Sequence, residues 1–237
     1  MKRITVAITI VLACALAAQA AFIVEPATGG KATANFTGTA RFSDTKGLAV
    51  GLSGVKSAYG STAAPHTYVV SYTPGVDVDN TVLAPGTLLG KQTLDPAAAP
   101  AVSPVTGDLL ASGLTGGQTG LYNVYLTWPV STNVSTTGTT ITVTYSPTLD
   151  GVGAITFNPV IQNTGSTGTP GGNDGWLLVA SNVPLDAGTK YTVTLAANST
   201  AWTSQRLAGV MWEAVPEPAT LALLGIGGLF LRRRRTA

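Results

Sequence analysis

His66 is the one histidine of the 237-residue chain. A zinc site or a Ser-His-Asp triad would have to be built on it, because both need an imidazole nitrogen. It stands between Pro65 and Thr67, at the start of a strand-like run, and no G-x-S-x-G stretch accompanies it, so it reads as a loop histidine. In "GVDVDN", Asp77 and Asp79 lie two residues apart, with Asn80 next. Oxygen ligands at that spacing can open a calcium loop, but its third ligand and glycine are missing where Thr81 and Val82 follow. The same residues are good turn formers, as are Asn173 and Asp174 in "GGNDGW". Glycoside hydrolysis needs two opposed carboxyl groups. Glu25 and Glu213 are the only glutamates of the body, and neither has an evident partner in the sequence. A hydrolase would therefore need a concave cluster drawn from Asp77, Asp79, Asp174 and Glu213. The expectation is no catalytic residue, no metal and no cofactor.

The four tryptophans, Trp128, Trp176, Trp202 and Trp212, could offer flat rings for stacking on sugars. Trp128 continues the apolar face of its strand and reads as core. Trp202, in polar "STAWTSQR", is the candidate sugar-stacking ring, with ordinary packing as its competitor. Ten of the seventeen residues from Ser131 to Pro147 are Ser or Thr. They suit the solvent face of a sheet, or a scaffold for O-linked sugar.

Strands must position these residues. In "KATANFTGTARF", Ala32, Ala34, Phe36, Ala40 and Phe42 share one face, which predicts a half-buried strand. The same period runs through 67–73 (Tyr68, Val70, Tyr72), 121–128 (Tyr122, Val124, Leu126, Trp128), 139–145 (Ile141, Val143, Tyr145) and 190–197 (Tyr191, Val193, Leu195). Weaker strands are predicted at 47–55, 154–162, 176–183 and 207–214. Gly, Asn, Asp and Pro turns separate them, and the body has no long 3.6-residue period. The fold class expected is all-β: an antiparallel β-sandwich of jelly-roll or Ig-like type. A Pro/Ala-rich stretch at 95–107 reads as a long loop or a linker, and a loop is favoured because the part before it is meagre for an independent sandwich.

The formal charge of +2 misleads. Six of the thirteen basic residues lie in the two ends, and residues 21–214 hold seven basic and ten acidic residues. That balance, without clustered Lys and Arg, excludes a nucleic-acid footprint. The one cysteine, Cys14, falls in the N-terminal apolar run, so the body has neither disulfide nor thiolate chemistry.

The ends carry the address. Lys2 and Arg3 precede the uncharged apolar stretch from Ile4 to Ala17, and Ala18-Gln19-Ala20 puts small residues at the positions a signal peptidase inspects. Residues 1–20 read as a secretory signal peptide cut after Ala20. "VLAC" is a minor competitor as a lipoprotein box, weakened by bulky Leu12 and by the apolar residues beyond Cys14. At the other end, Pro216-Glu217-Pro218 precedes a run from Ala219 to Leu231 in which only Thr220 is polar, followed by Arg232, Arg233, Arg234 and Arg235. As a helix this run reaches only ~20 Å against a hydrocarbon core of ~30 Å. It suits a transient span, with the arginines as the cytoplasmic stop. A plain tail anchor or a buried C-terminal helix is the alternative, and the four arginines argue against burial.

Motif, short span and basic stop occur in that order, and residues 215–237 resemble the PEP-CTERM sorting domain of bacterial exosortase substrates. The resemblance implies sorting by an exosortase, a cut near Pro216 to Pro218, and delivery to the surface or extracellular matrix of a Gram-negative-type bacterium that makes exopolysaccharide. In the body, "GLYNVYLTWPVSTNVS" and "GWLLVASNVPLDAGTKYTVTL" followed by "LAGVMWEAV" resemble strands of golvesin-like, carbohydrate-associated β-sandwich modules. The expected layout is a signal peptide at 1–20, a β-sandwich body at 21–214 and the sorting segment at 215–237. The expected role is structural or adhesive in an exopolysaccharide or biofilm layer, and not enzymatic. A carbohydrate-binding module is the alternative and a secreted hydrolase the third reading. The expected partners are signal peptidase, exosortase, exopolysaccharide and, transiently, the membrane.

Overall fold

Period-two sequence becomes period-two burial. Along Thr139–Thr144 buried and half-buried residues alternate, and the same holds along Tyr191–Ala197. β-branched and aromatic residues fit such half-covered pleats, and the polar residues between them keep solvent on the other face. The computed structural model describes residues 20–28, 31–32, 34–38, 40–44, 49–52, 56–60, 67–78, 81–92, 107–112, 114, 116–129, 131, 133–148, 151–160, 162, 175–198 and 204–216. Among these residues there is no helix. The strands are β1 (Ala20–Val24), β2 (Ala27–Thr28), β3 (Lys31–Ala32), β4 (Phe36–Thr37), β5 (Arg41–Asp44), β6 (Lys56–Gly60), β7 (Thr67–Tyr72), β8 (Thr81–Val82), β9 (Leu88–Gln92), β10 (Gly107–Leu110), β11 (Gly120–Thr127), β12 (Thr139–Thr144), β13 (Ala154–Val160), β14 (Leu177–Leu185), β15 (Tyr191–Ala197), β16 (Gln205–Leu207) and β17 (Gly209–Ala214).

The architecture is an all-β antiparallel sandwich. One sheet runs β14-β11-β17-β1-β8 and the facing sheet β13-β12-β15-β7-β4. Val124, Leu126, Trp128, Val210 and Trp212 from the first sheet meet Tyr68, Val70, Ile141, Val143, Val193 and Leu195 from the second in one core. Each such side chain contributes about 1.5–3 kcal/mol on burial. A second core lies on the outer face of the first sheet. There Leu89 of β9 and Leu109 of β10 cover Ile23, Tyr125, Leu178 and Met211. Strand β17 is central, paired with β11 on one side and β1 on the other, and it is buried along its whole length because both faces are covered. A smaller sheet, β16-β6-β2-β3 with β5 beside β6, flanks the sandwich.

The strands expected at 67–73, 121–128, 139–145 and 190–197 form as β7, β11, β12 and β15, with the expected residues buried. Two expectations are corrected. The long strand through 31–42 is broken into β3 and β5, which belong to the flanking sheet, and β4, which lies at the edge of the facing sheet of the sandwich. The break comes where Ala34 and Asn35 turn. There the Asn35 carbonyl accepts from Ser71 N and its side-chain amide donates to Ser71 O. Gly38 then passes so close to β7 that a Cβ would sit 2.7 Å from a Tyr68 ring carbon. The expected strand at 47–55 is a turn over its described part: Leu52 N bonds to Ala49 O, and Gly51 takes a φ of 87°. The signal segment, the 95–106 part of the Pro/Ala-rich stretch and the C-terminal apolar run lie outside the described residues. No helix among the described residues is long and apolar enough to cross a membrane.

Candidate functional site

Antiparallel register brings the first and the last described strands side by side. β1 pairs with β17 as Phe22 opposite Trp212 and Val24 opposite Val210. Carried back two residues, that register sets Ala20 opposite Ala214. The chain therefore enters the sheet at the residue before the expected signal-peptidase cut, and it leaves at Pro216 from the adjacent strand, ~5 Å away. Val215 N still bonds to Leu121 O, so the fold holds the backbone up to the first residue of the Pro-Glu-Pro motif. The starts of β11, β13 and β15 and the ends of β7, β12 and β14 lie at this same end of the sandwich.

Three buried tyrosines fasten the loops there. Gly117 N donates to the Tyr72 hydroxyl at 3.0 Å. The Tyr122 hydroxyl donates to Gln118 O at 2.7 Å, and Asp186 N donates to the Tyr191 hydroxyl at 2.9 Å. Gly188 N bonds to Pro74 O, tying the loops after β14 and β7 to one another, and Ser146 N to Pro184 O, tying the loop after β12 to the end of β14. Tyrosine suits this place because its ring stays in the core while its oxygen reaches the rim. Behind the loops, Phe22 stacks on Tyr72 at 4.4 Å, and Tyr72 lies 5.5 Å from Trp212.

On the outer face of β17, Glu213 is 3 % exposed. One carboxylate oxygen accepts from Ser112 N at 2.7 Å and the other from the Tyr125 hydroxyl at 3.1 Å. The Ser112 hydroxyl donates to Ala214 O at 2.6 Å. Burial pushes the Glu213 carboxyl above its ordinary range, and the bonds from Ser112 and Tyr125 offset part of that shift. Burial, with the neighbouring Glu213 charge, pushes the Tyr125 hydroxyl up as well. These groups join the strand that leads to the motif with the segment after β10, so both Glu213 oxygens are engaged in holding structure.

The remaining candidates separate. Asp77 closes the turn after β7, its carboxylate accepting from Thr73 N at 2.7 Å. Trp128, Trp176 and Trp212 are buried at 0–2 % exposure, as expected of core rings. The Trp176 ring N–H donates to Val50 O at 2.9 Å. Among the described residues no three of His, Cys, Asp and Glu group as a metal site. Ala18, His66, Asp79, Asp174, Trp202, Glu217, Pro218 and Arg232 to Arg235 lie outside the described residues. Sequence reasoning missed the Glu213–Tyr125–Ser112 cluster, whose signal was faint: Glu213 and Tyr125 fall on faces that alternation assigns to solvent.

Residues 214–235 match the PEP-CTERM protein-sorting motif, so the segment leaving β17 is a sorting signal and marks an exported bacterial protein sorted by an exosortase. A Paenibacillus xanthan lyase structure, solved to 2.6 Å resolution, is similar to the body at 16 % identity and a TM-score of 0.47, over 84 % of this chain. The chain spans only 13 % of that protein's length. No curated protein matches the sequence.

Proposed function

We propose that this chain is a non-catalytic surface or matrix protein, structural or adhesive within an exopolysaccharide or biofilm layer. Signal peptidase removes residues 1–20. The run from Ala219 to Leu231 then holds the precursor in the inner membrane of a Gram-negative-type bacterium, with Arg232 to Arg235 on the cytoplasmic side. Exosortase cuts near Pro216 to Pro218, and the β-body passes to the cell surface or matrix. The observation that carries this reading is the sorting motif following directly on the central strand of a body in which two of the candidate catalytic carboxylates, Asp77 and Glu213, are engaged in structural hydrogen bonds. Deleting residues 216–237 should leave the body folded and misdirect it. A truncated protein that still reached the same surface location would sink the sorting assignment.

A carbohydrate-binding module is the second reading. Burial of the other three tryptophans leaves Trp202 as the ring that could stack on a sugar. Polysaccharide affinity lost in Trp202→Ala, with unchanged folding, would favour it over a purely structural role.

A further inference from the structure

We propose that the end of the sandwich from which the sorting segment leaves is a bilayer-docking surface, with Val76, Val78 and Val152 seated in the lipid interface while the precursor awaits its cut. The inference rests on the reading that the run from Ala219 to Leu231 enters the membrane, and it goes further by assigning a surface of the body to the lipid.

Val76, Val78 and Val152 are 68 %, 82 % and 70 % exposed, the highest values among the large hydrophobic residues of the described chain. All three belong to loops of this one end: Val76 and Val78 follow β7, and Val152 lies between β12 and β13. Outward valines at loop tips gain nothing from water, whereas apolar side chains at the water–hydrocarbon boundary are stabilised by leaving it.

Chain length sets how near the lipid must be. Three residues separate Val215, the last whose backbone bonds to the sheet, from Ala219, so the start of the apolar run lies within ~14 Å of the folded sheet even when fully extended. The expected signal-peptide junction at Ala20 opens the neighbouring strand at the same end. While either apolar run is in the bilayer, this end of the sandwich rests against it. The valine loops are held by their own backbone before any contact: Val76 N and Asp77 N bond to Thr73 O, Gly188 N to Pro74 O, and Tyr145 N to Gly153 O.

Charge selects the kind of contact. In sequence these loops carry Asp77, Asp79, Asp150, Asp186 and Lys190, a net acidic set without a cationic patch. The surface is therefore suited to the hydrocarbon boundary and not to anionic headgroups, and docking should not require acidic lipid.

The test uses the full precursor carrying Cys14→Ser, with a single cysteine placed by Val76→Cys, Val78→Cys, Val152→Cys or, at the opposite end, Thr136→Cys. Each is labelled with an environment-sensitive fluorophore and reconstituted into phosphatidylcholine vesicles with or without doxyl-lipid quencher. The expected result is flotation of every variant, with blue-shifted, lipid-quenched emission at 76, 78 and 152 and water-like emission at 136. Flotation with all four labels equally wet would overturn the docking surface and leave the membrane-held precursor standing. Failure to float would overturn both. A blue shift at the three tips in lipid-free buffer would assign them to a second copy or to the chain's own apolar run, and would overturn the lipid assignment.

Discussion

At the sorting end of the sandwich, tyrosine hydroxyls are engaged by loop backbone and valines face outward. At the opposite end, the loops are held by small polar side chains. The Thr140 hydroxyl donates to the Asn198 side chain at 3.0 Å, Asn198 N donates to Gly138 O at 3.0 Å, and Asn133, Thr136, Thr137 and Asn198 are exposed. The same two sheets thus present outward valines at the end where β1 begins and β17 ends, and exposed hydroxyl and amide side chains at the other. Loop chemistry is decoupled from the core, so one scaffold can carry different surfaces at its two ends.

Substitutions can break that comparison, and the largest effect should fall on the strand leading to the motif. Trp212→Ala removes a buried ring packed against Phe22 and Tyr72 and should cost about 3–5 kcal/mol in urea unfolding. A loss under ~1 kcal/mol would mean that β17 is not the central element. Glu213→Ala leaves Ser112 N and the Tyr125 hydroxyl without their acceptor and should cost about 2–3 kcal/mol. Glu213→Gln separates charge from shape. The folded state holds the Glu213 proton above the ordinary value near 4.5, so the stability from this group is fully present below that value and is lost as pH rises through the shifted one. Relative to the parent, the Gln variant should gain stability as pH is raised from about 4.5. A flat difference across that range would show that Glu213 titrates as an ordinary carboxyl.

Smaller changes compare the two ends directly. Tyr122→Phe removes a loop fastening at the sorting end and should cost about 1 kcal/mol. Thr140→Val, at an exposed bond of the far end, should stay within about 0.5 kcal/mol. Equal costs would erase the contrast between loops fastened by buried tyrosines and loops held by exposed polar side chains. Removing residues 217–237 should shift the melting temperature of the body least of all, because the last strand ends at Ala214.

Much of this was legible in the sequence. Period two placed Tyr68, Val70, Tyr72, Ile141, Val143, Val193 and Leu195 on the faces that meet in the core. The C-terminal motif was legible because its order of proline pair, apolar run and arginines is local. What failed was long-range. The break of 31–42 depends on how closely β7 approaches Gly38, which spacing does not encode. Tyr125 and Met211 sit on faces that alternation gives to water, yet β9 and β10 cover them. That the chain enters and leaves the sandwich at one end follows only from the pairing of β1 with β17, strands nearly a whole chain apart. "GVDVDN" was weighed for its carboxylates, while its outward valines gain meaning only once the loops are placed at one end.

The most direct test of the account is the intact mass of the protein recovered from the cell exterior. The account predicts a chain that has lost residues 1–20 and everything beyond the Pro216–Pro218 cut, leaving the β-body alone. A mass that retains Arg232 to Arg235 would contradict it and make the C-terminal segment an ordinary anchor.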